Sequence, residues 1–472
     1  MRKSIILLIA VVLGMTMSCS TTNSTTKNSK SYAIKTLVPT RPAGQQHVVG
    51  MVTPKLEKVR VGFIGLGMRG PGAVERFANI PGVEIKALCD LHADRVEKSQ
   101  QILKKAGLPA ATGYSGSYDA WKQLVNRDDI DLVYICADWK NHASMVIESM
   151  KKGKHVATEV PGALTMEDLW AIINTAEKTR KHCMMLENCV YDDFELTTLN
   201  MIQKGVFGET LYAEGAYIHQ LEPFWNAYEG DWRMIANKAN RGDLYPTHGM
   251  GPACQALNIH RGDKMNYLVS MDSKPVSIPA FLKKKRNETV TDFKNGQHTL
   301  TFISTEKGKT IEIHHDVASP RPYSRMYNVA GTKGYASKYP SENYAVQGDE
   351  LGKDEAPDLY KLNAHGWMPE KARKALMQKY ESPIITAEMK KTAEALGSIA
   401  HGGMDFIMDY RLIYCLQNGL PLDMDVYDLA EWSCLVPLTA ISLENGSAPV
   451  EIPDFTRGFW NLQQGYRQAL KK

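Results

Sequence analysis

Charge of one sign is in short supply. The 472 residues carry 56 Lys and Arg against 52 Asp and Glu, a formal net charge of +4 with no clustered excess. A balance this even excludes the basic footprint of a nucleic-acid binder and leaves small molecules as the expected ligands. Cysteine is scarce as well, with eight in the chain. Beyond Cys19 the others are Cys89, Cys136, Cys183, Cys189, Cys254, Cys415 and Cys434, an odd set that does not describe a disulfide framework. Cys89 and Cys136 lie in apolar, strand-like runs and read as small buried hydrophobes. No cysteine or histidine spacing fits zinc, and the adjacent His314 and His315 of a strand pattern point to opposite faces, so no metal is expected. There is no internal repeat. A hydrophobic fraction of 43% and a charged fraction of 23% describe a folded globular chain, too long for one ordinary core.

The N-terminus has an apolar run from Ile5 to Met17, behind Arg2 and Lys3, that is too short to span a membrane and reads as an export signal. It ends at Thr16-Met17-Ser18-Cys19, which resembles the lipobox of bacterial lipoproteins. That resemblance implies a lipoprotein signal over residues 1–19 in which Cys19 is acylated and becomes the mature N-terminus, and a membrane-anchored protein on the periplasmic or cell-surface side. With no twin-arginine pair, export of an unfolded chain is expected. Residues 20–58 are rich in Ser, Thr, Asn and Lys without an apolar period, and read as a flexible tether.

From Val59 the pattern changes. Val59–Ile64, Val83–Asp90, Leu132–Ala137, His155–Glu159 and Cys183–Asn188 read as buried strands, with helical periods at Asn141–Lys152 and Thr165–Lys178 between them. Such alternation predicts an α/β fold: a doubly wound parallel Rossmann sheet over residues 59–185. Residues 186–472 read as a second, α+β domain. Strand-like runs at Thr210–Ile218, His298–Ile303 and Thr310–His315 predict a mostly antiparallel open sheet, and Ala387–Asn418 and Val426–Glu444 have helical period.

Gly65-Leu66-Gly67-Met68-Arg69-Gly70 follows the first strand and opens a helix, the context in which a G-x-G-x-x-G run is a dinucleotide fingerprint. Gly65 permits the tight turn, Gly67 the approach of a pyrophosphate to backbone, and Gly70 close helix packing. Asp90 ends the next strand, where a carboxylate accepts bonds from the adenosine ribose and repels a 2′-phosphate. NAD is therefore expected over NADP, although Arg69 and Arg95 are near enough in sequence to compensate.

Glu159-Val160-Pro161 and Asp138-Trp139-Lys140-Asn141-His142 follow strands in the manner of the glucose-fructose oxidoreductase-like dehydrogenases, whose Glu-Lys-Pro lysine is replaced here by Val160. The chain more closely resembles glycoside hydrolase family 109, NAD-dependent α-N-acetylgalactosaminidases. The resemblance runs from about Lys58 onward, through Gly67-Met-Arg-Gly70, Trp139-Lys-Asn-His142, Glu187-Asn188, Tyr217, Asp231-Trp-Arg233, Tyr245-Pro246-Thr247-His248-Gly249-Met-Gly251 and Pro322-Tyr323. It implies cofactor contacts from Met68, Arg69, Asp90, Trp139, Lys140, Asn141, His142, Glu159, Val160 and Asn188. It also implies sugar contacts from Tyr217, Arg233, Tyr245, Pro246, Thr247, His248 and Tyr323, with a terminal amino sugar as substrate and a homo-oligomer left open.

The family chemistry implied is transient oxidation at C3 by bound NAD⁺, loss of the C2 proton, departure of the leaving group from C1, addition of water and re-reduction, with no net redox change. The base must titrate near neutrality, which points to His248. Tyr245, three residues earlier, shares its face if the segment is helical, and Glu159 at a strand's C-terminal end is a third candidate. Tyr191 and His219 rank lower as site residues, because aromatic groups are also common as core or rim packing. Two other functions compete: a sugar oxidoreductase, disfavoured by Val160, and a non-enzymatic sugar-binding lipoprotein, disfavoured by the fingerprint and Asp90.

Overall fold

The computed structural model describes residues 33–347 and 366–471. The signal run, Cys19 and the first part of the tether lie outside the described residues. Six strands form the first sheet: β1 (Val59–Ile64), β2 (Val83–Cys89), β3 (Thr112–Tyr114), β4 (Leu132–Ile135), β5 (His155–Thr158) and β6 (Cys183–Met185). All pair in parallel, in the order β3-β2-β1-β4-β5-β6. β1, β4 and β6 are apolar almost throughout, and with β5 they are buried on both faces, as covered parallel strands must be. The order reverses between β1 and β4, and the glycine turn sits at that switch point, where open α/β sheets bind ligands.

The second sheet has eight strands: β7 (Thr210–Ile218), β8 (Met265–Asp272), β9 (Thr299–Thr305), β10 (Thr310–Asp316), β11 (Asn328–Gly331), β12 (Gly334–Ser337), β13 (Asn343–Val346) and β14 (Val450–Glu451). Its order is β13-β12-β11-β7-β10-β9-β8-β14, antiparallel except for the central β7–β10 pair. β8 was not legible as a strand in the sequence. His314 and His315 do fall on opposite faces: His314 Nδ1 lies 3.1 Å from His298 Nε2, while His315 is buried.

Three expectations are corrected. Ala387–Asn418 is not one helix but two, Ala387–Leu396 and Met404–Asn418, separated by Gly397, Gly402 and Gly403 at positive φ. Likewise Val426–Glu444 breaks at Cys434 into Val426–Ser433 and Leu435–Glu444. Residues 33–58, read as tether, are a strap bonded to the body. Ile34 N donates to Pro449 O (2.7 Å), Arg41 Nε to Glu177 (3.0 Å) and Val48 N to the Tyr427 hydroxyl (3.0 Å), and Val48, Val49 and Met51 are buried. Backbone partners distant in sequence, not apolar period, order this segment.

Candidate active site

A cavity of about 1190 Å³ runs from the glycine turn to the second sheet. At its first end, Gly65 has φ +87°, and a Cβ there would stand 2.5 Å from Cys136 O, while one on Gly70 would overlap Gly65 O. A Cβ on Gly67 meets nothing nearer than Arg95 Nη1 at 3.5 Å, so this position faces open cradle. The residues fit a dinucleotide. Asp90 accepts from the Leu66 amide (2.7 Å) and the His92 amide (2.9 Å), fastening the turn to the end of β2. Both arginines that could have welcomed a 2′-phosphate are engaged. Arg95 lies 3.5 Å from Asp90 and pairs with Glu229, and Arg69 bonds Glu159 (3.1 Å) and Asp405 (2.9 Å). Charge at the ribose end thus favours NAD over NADP.

Arg69 ties the turn to the helix Met404–Asn418. Burial pulls its pKa down, but Glu159 and Asp405 outweigh burial and hold the guanidinium charged. The Asp405 carboxyl, which burial alone would raise, is drawn well below its usual range by His401, Arg69 and Arg76. Asn188 Nδ2 donates to the same carboxylate. No local sequence signal marks Asp405, which is 336 residues from Arg69.

At the other end, His248 lies in the first turn of the helix Thr247–Leu257. Three glycines seat that helix. A Cβ on Gly249 would come within 2.6 Å of Ala216 N, one on Gly215 of β7 would overlap Gly249, and one on Gly251 would reach 2.9 Å from Glu187 Cγ. The backbone therefore presses against both β7 and Glu187. His248 Nδ1 lies 2.7 and 2.9 Å from the two oxygens of Glu187, a fully buried carboxylate. Burial pushes the Glu187 pKa up, yet the His248 charge and hydrogen bond pull it below its usual value, so it stays an acceptor. With Nδ1–H donated to a carboxylate, Nε2 is the nitrogen free to exchange a proton. Glu187 lies 61 residues from His248, and no local sequence signal ties the two together.

Tyr245 meets His248 edge to face, with ring centroids 4.9 Å apart. The helical reason expected for their pairing is not the operative one, because Tyr245 precedes the helix and Pro246 caps it. Burial raises the Tyr245 pKa well above its usual value and keeps the phenol protonated. Tyr217 packs 4.5 Å from Tyr245. The Arg233 guanidinium stands 4.7 to 5.7 Å from the rings of Tyr245, Trp139, Tyr228 and Tyr217. It donates to the Tyr228 hydroxyl (2.8 Å) and forms no ion pair among the described residues, and its buried Nε lacks a protein partner. A caged guanidinium with spare donors fits the oxygens of a polar ligand.

Met68, Trp139, Asn141, Val160 and Tyr323 also line the cavity. Other expected site residues do not reach it. Lys140 is exposed and outside the lining, and Pro246 and Thr247 are buried behind it. His142 borders the cavity, but its ring nitrogens are spent on Pro161 O (2.8 Å) and Ala137 O (2.9 Å), so it holds two loops together. Tyr191 is core, donating to Asp423.

Residues 59–187 match the oxidoreductase family, NAD-binding Rossmann fold, and residues 191–462 the glycosyl hydrolase 109 C-terminal domain. Glycosyl hydrolase family 109 protein 1 of Bacteroides fragilis is 62% identical over 463 residues, spanning 98% of this chain and 99% of its own. The family 109 protein of Porphyromonas gingivalis is 59% identical over 463 residues, with 98% of each chain covered. Levoglucosan dehydrogenase, solved in complex with NADH and levoglucosan, shares the fold with a TM-score of 0.61 at 17% identity, over 84% of this chain and 100% of its own. A Rossmann turn built for NAD, opening into the same cavity as a histidine–carboxylate pair, thus belongs to a glycosidase, and the chain is a member of glycosyl hydrolase family 109.

Proposed function

We propose that the enzyme cleaves terminal α-N-acetylgalactosaminides without net oxidation, by elimination and readdition across C1 and C2 of the sugar. The observation that carries this reading is His248, fastened to buried Glu187 and beside Tyr245, in the cavity that begins at the glycine turn. Bound NAD supplies a reversible two-electron acceptor for C3, which makes the neighbouring C2 proton acidic. His248 removes that proton at Nε2, and Glu187 stabilises the imidazolium that forms. Tyr245, kept protonated by burial, donates to the departing glycosidic oxygen. Arg233 holds sugar oxygens through its spare donors. Water then adds at C1 and gives its proton to the Tyr245 phenolate, and His248 returns a proton to C2.

Two features weigh against other routes. Val160 lines the cavity where the resembled dehydrogenases carry their lysine, and the one lysine lining it among the described residues, Lys98, stands elsewhere on the helix Ala93–Lys105, so no ammonium occupies that place. The carboxylates of the site are committed as well: Glu159 and Asp405 to Arg69, Glu187 to His248, Glu229 to Arg95, Asp138 to the Asn141 side chain and Asp90 to the Leu66 and His92 amides. Conventional hydrolysis needs a free acid and a free base.

Hydrolysis of an aryl α-N-acetylgalactosaminide in D₂O should place deuterium at C2 with no build-up of NADH. A deuterium-free sugar from active enzyme would overturn the mechanism, and stoichiometric NADH would make the protein a sugar oxidoreductase. We also propose export and anchoring at Cys19, supported by the sequence up to that residue. Cys19→Ala should abolish partitioning with membranes, and unchanged fractionation would exclude the anchor.

A further inference from the structure

We propose that His219, Phe224 and Tyr323 form a second subsite at the mouth of the cavity, which takes the flat apolar face of the leaving group, either the next sugar of an oligosaccharide or an aryl aglycone. The proposal rests on the glycosidase reading above, which places the bond to be broken beside His248. From that residue a file of rings runs outward. Tyr217 lies 5.5 Å from His248, His219 lies 5.8 Å from Tyr217, and Phe224 and Tyr323 stand 5.5 and 5.2 Å from His219. Both outer rings meet the imidazole at 81°, two walls against one floor. All three line the cavity, yet Phe224 is 42% and Tyr323 40% exposed, against 7% for Tyr217.

Exposed rings of this size leave apolar surface in water unless a ligand covers them. Their exposure is enforced by what holds them. Phe224 sits in the 3-10 turn Glu222–Ala227, whose neighbours Leu221 and Trp225 are buried in a core with Met234 and Phe281. Leu221 N donates to Val317 O (3.0 Å), so Trp225 takes the inward place and Phe224 is held on the rim. Tyr323 arrives from the opposite side on a loop pinned by paired bonds between Ile218 and Ser324, both 3.0 Å. Two independent backbone anchors thus preorganise the walls, which lowers the cost of ordering them on binding. Burial depresses the His219 pKa below its usual value, so the floor is neutral at pH 7 and suits a C–H face more than an ion.

Affinities for methyl, p-nitrophenyl and glycosyl α-N-acetylgalactosaminides, measured by calorimetry on NAD-loaded protein carrying His248→Ala, test this without turnover. Adding Phe224→Ala should weaken the p-nitrophenyl or glycosyl ligand, or both, by roughly tenfold or more, the scale of a lost apolar contact, and leave the methyl glycoside unchanged. Phe224→Trp should restore what was lost. A loss confined to the glycosyl or to the aryl ligand supports the subsite and identifies its occupant. Equal losses for all three ligands, or none, would overturn it. Failure of the glycosidase reading shows instead as no turnover of any of these by the unsubstituted enzyme, and the binding ratio still decides the subsite.

Discussion

His248 has its chemistry because a carboxylate 61 residues away fixes one of its nitrogens. Glu187→Gln replaces an acceptor with an amide that can donate to Nδ1, which favours the tautomer with the proton on Nε2, the wrong one for a base. We expect kcat to fall by roughly 10²- to 10⁴-fold, the range for lost general base catalysis, with NAD content and KM little changed. Loss of the bound nucleotide instead would make Glu187 a structural residue. The glycines of the turn separate in the same way. Gly67→Val enters open cradle and should abolish NAD loading while leaving the melting temperature of the NAD-free protein little changed. Gly65→Val needs φ +87° and collides with the end of β4, so it should destabilise the fold. Nucleotide released on denaturation, measured beside thermal melting, distinguishes the two.

Among the elements, the strap of residues 33–58 is the one whose sequence misleads most. Its polar composition carries no period, yet Val48, Val49 and Met51 are buried at 3%, 8% and 8% exposure. Full burial of side chains of this kind stabilises by about 1.5–3 kcal/mol each, an upper bound because the unfolded chain is not fully extended. A chain beginning at Lys58 should therefore melt several degrees lower than one beginning at Ala33. Identical melting curves would show that the strap is a tether after all. The break at Gly397–Gly403 has the opposite lesson, because glycine at positive φ is legible in sequence only once the backbone demand is known. That break delivers Asp405 to Arg69.

Across the whole molecule, a buried ion-pair network fixes the site helix from behind. His260, just past the helix Thr247–Leu257, has Nδ1 2.6 Å from Glu431 Oε2 and Nε2 3.4 Å from Asp425 Oδ1. Beside it Arg261 forms two bonds to Asp428. Burial and Arg261 oppose protonation of His260, but the three carboxylates prevail and push its pKa up to about 10. A histidine raised in the folded state contributes stability in full below its unfolded value of about 6.5, and loses it as pH rises through about 10. Melting temperature should fall between pH 7 and 10, and His260→Gln should flatten that slope while lowering stability at pH 7. An unchanged slope would show that the imidazole is not charged in the fold. The sequence by itself determined the parallel sheet, the NAD turn with Asp90 and the candidates His248, Tyr245 and Arg233, because strand period, a strand–glycine–helix junction and family motifs are contiguous. Only the tertiary structure decided that Glu187 serves His248, that Asp405 holds Arg69 and that His142 is spent on two carbonyls. Each of those depends on a pairing across the fold, made where close glycine packing or a broken helix brings two backbones together, and no local period in a chain encodes such an approach.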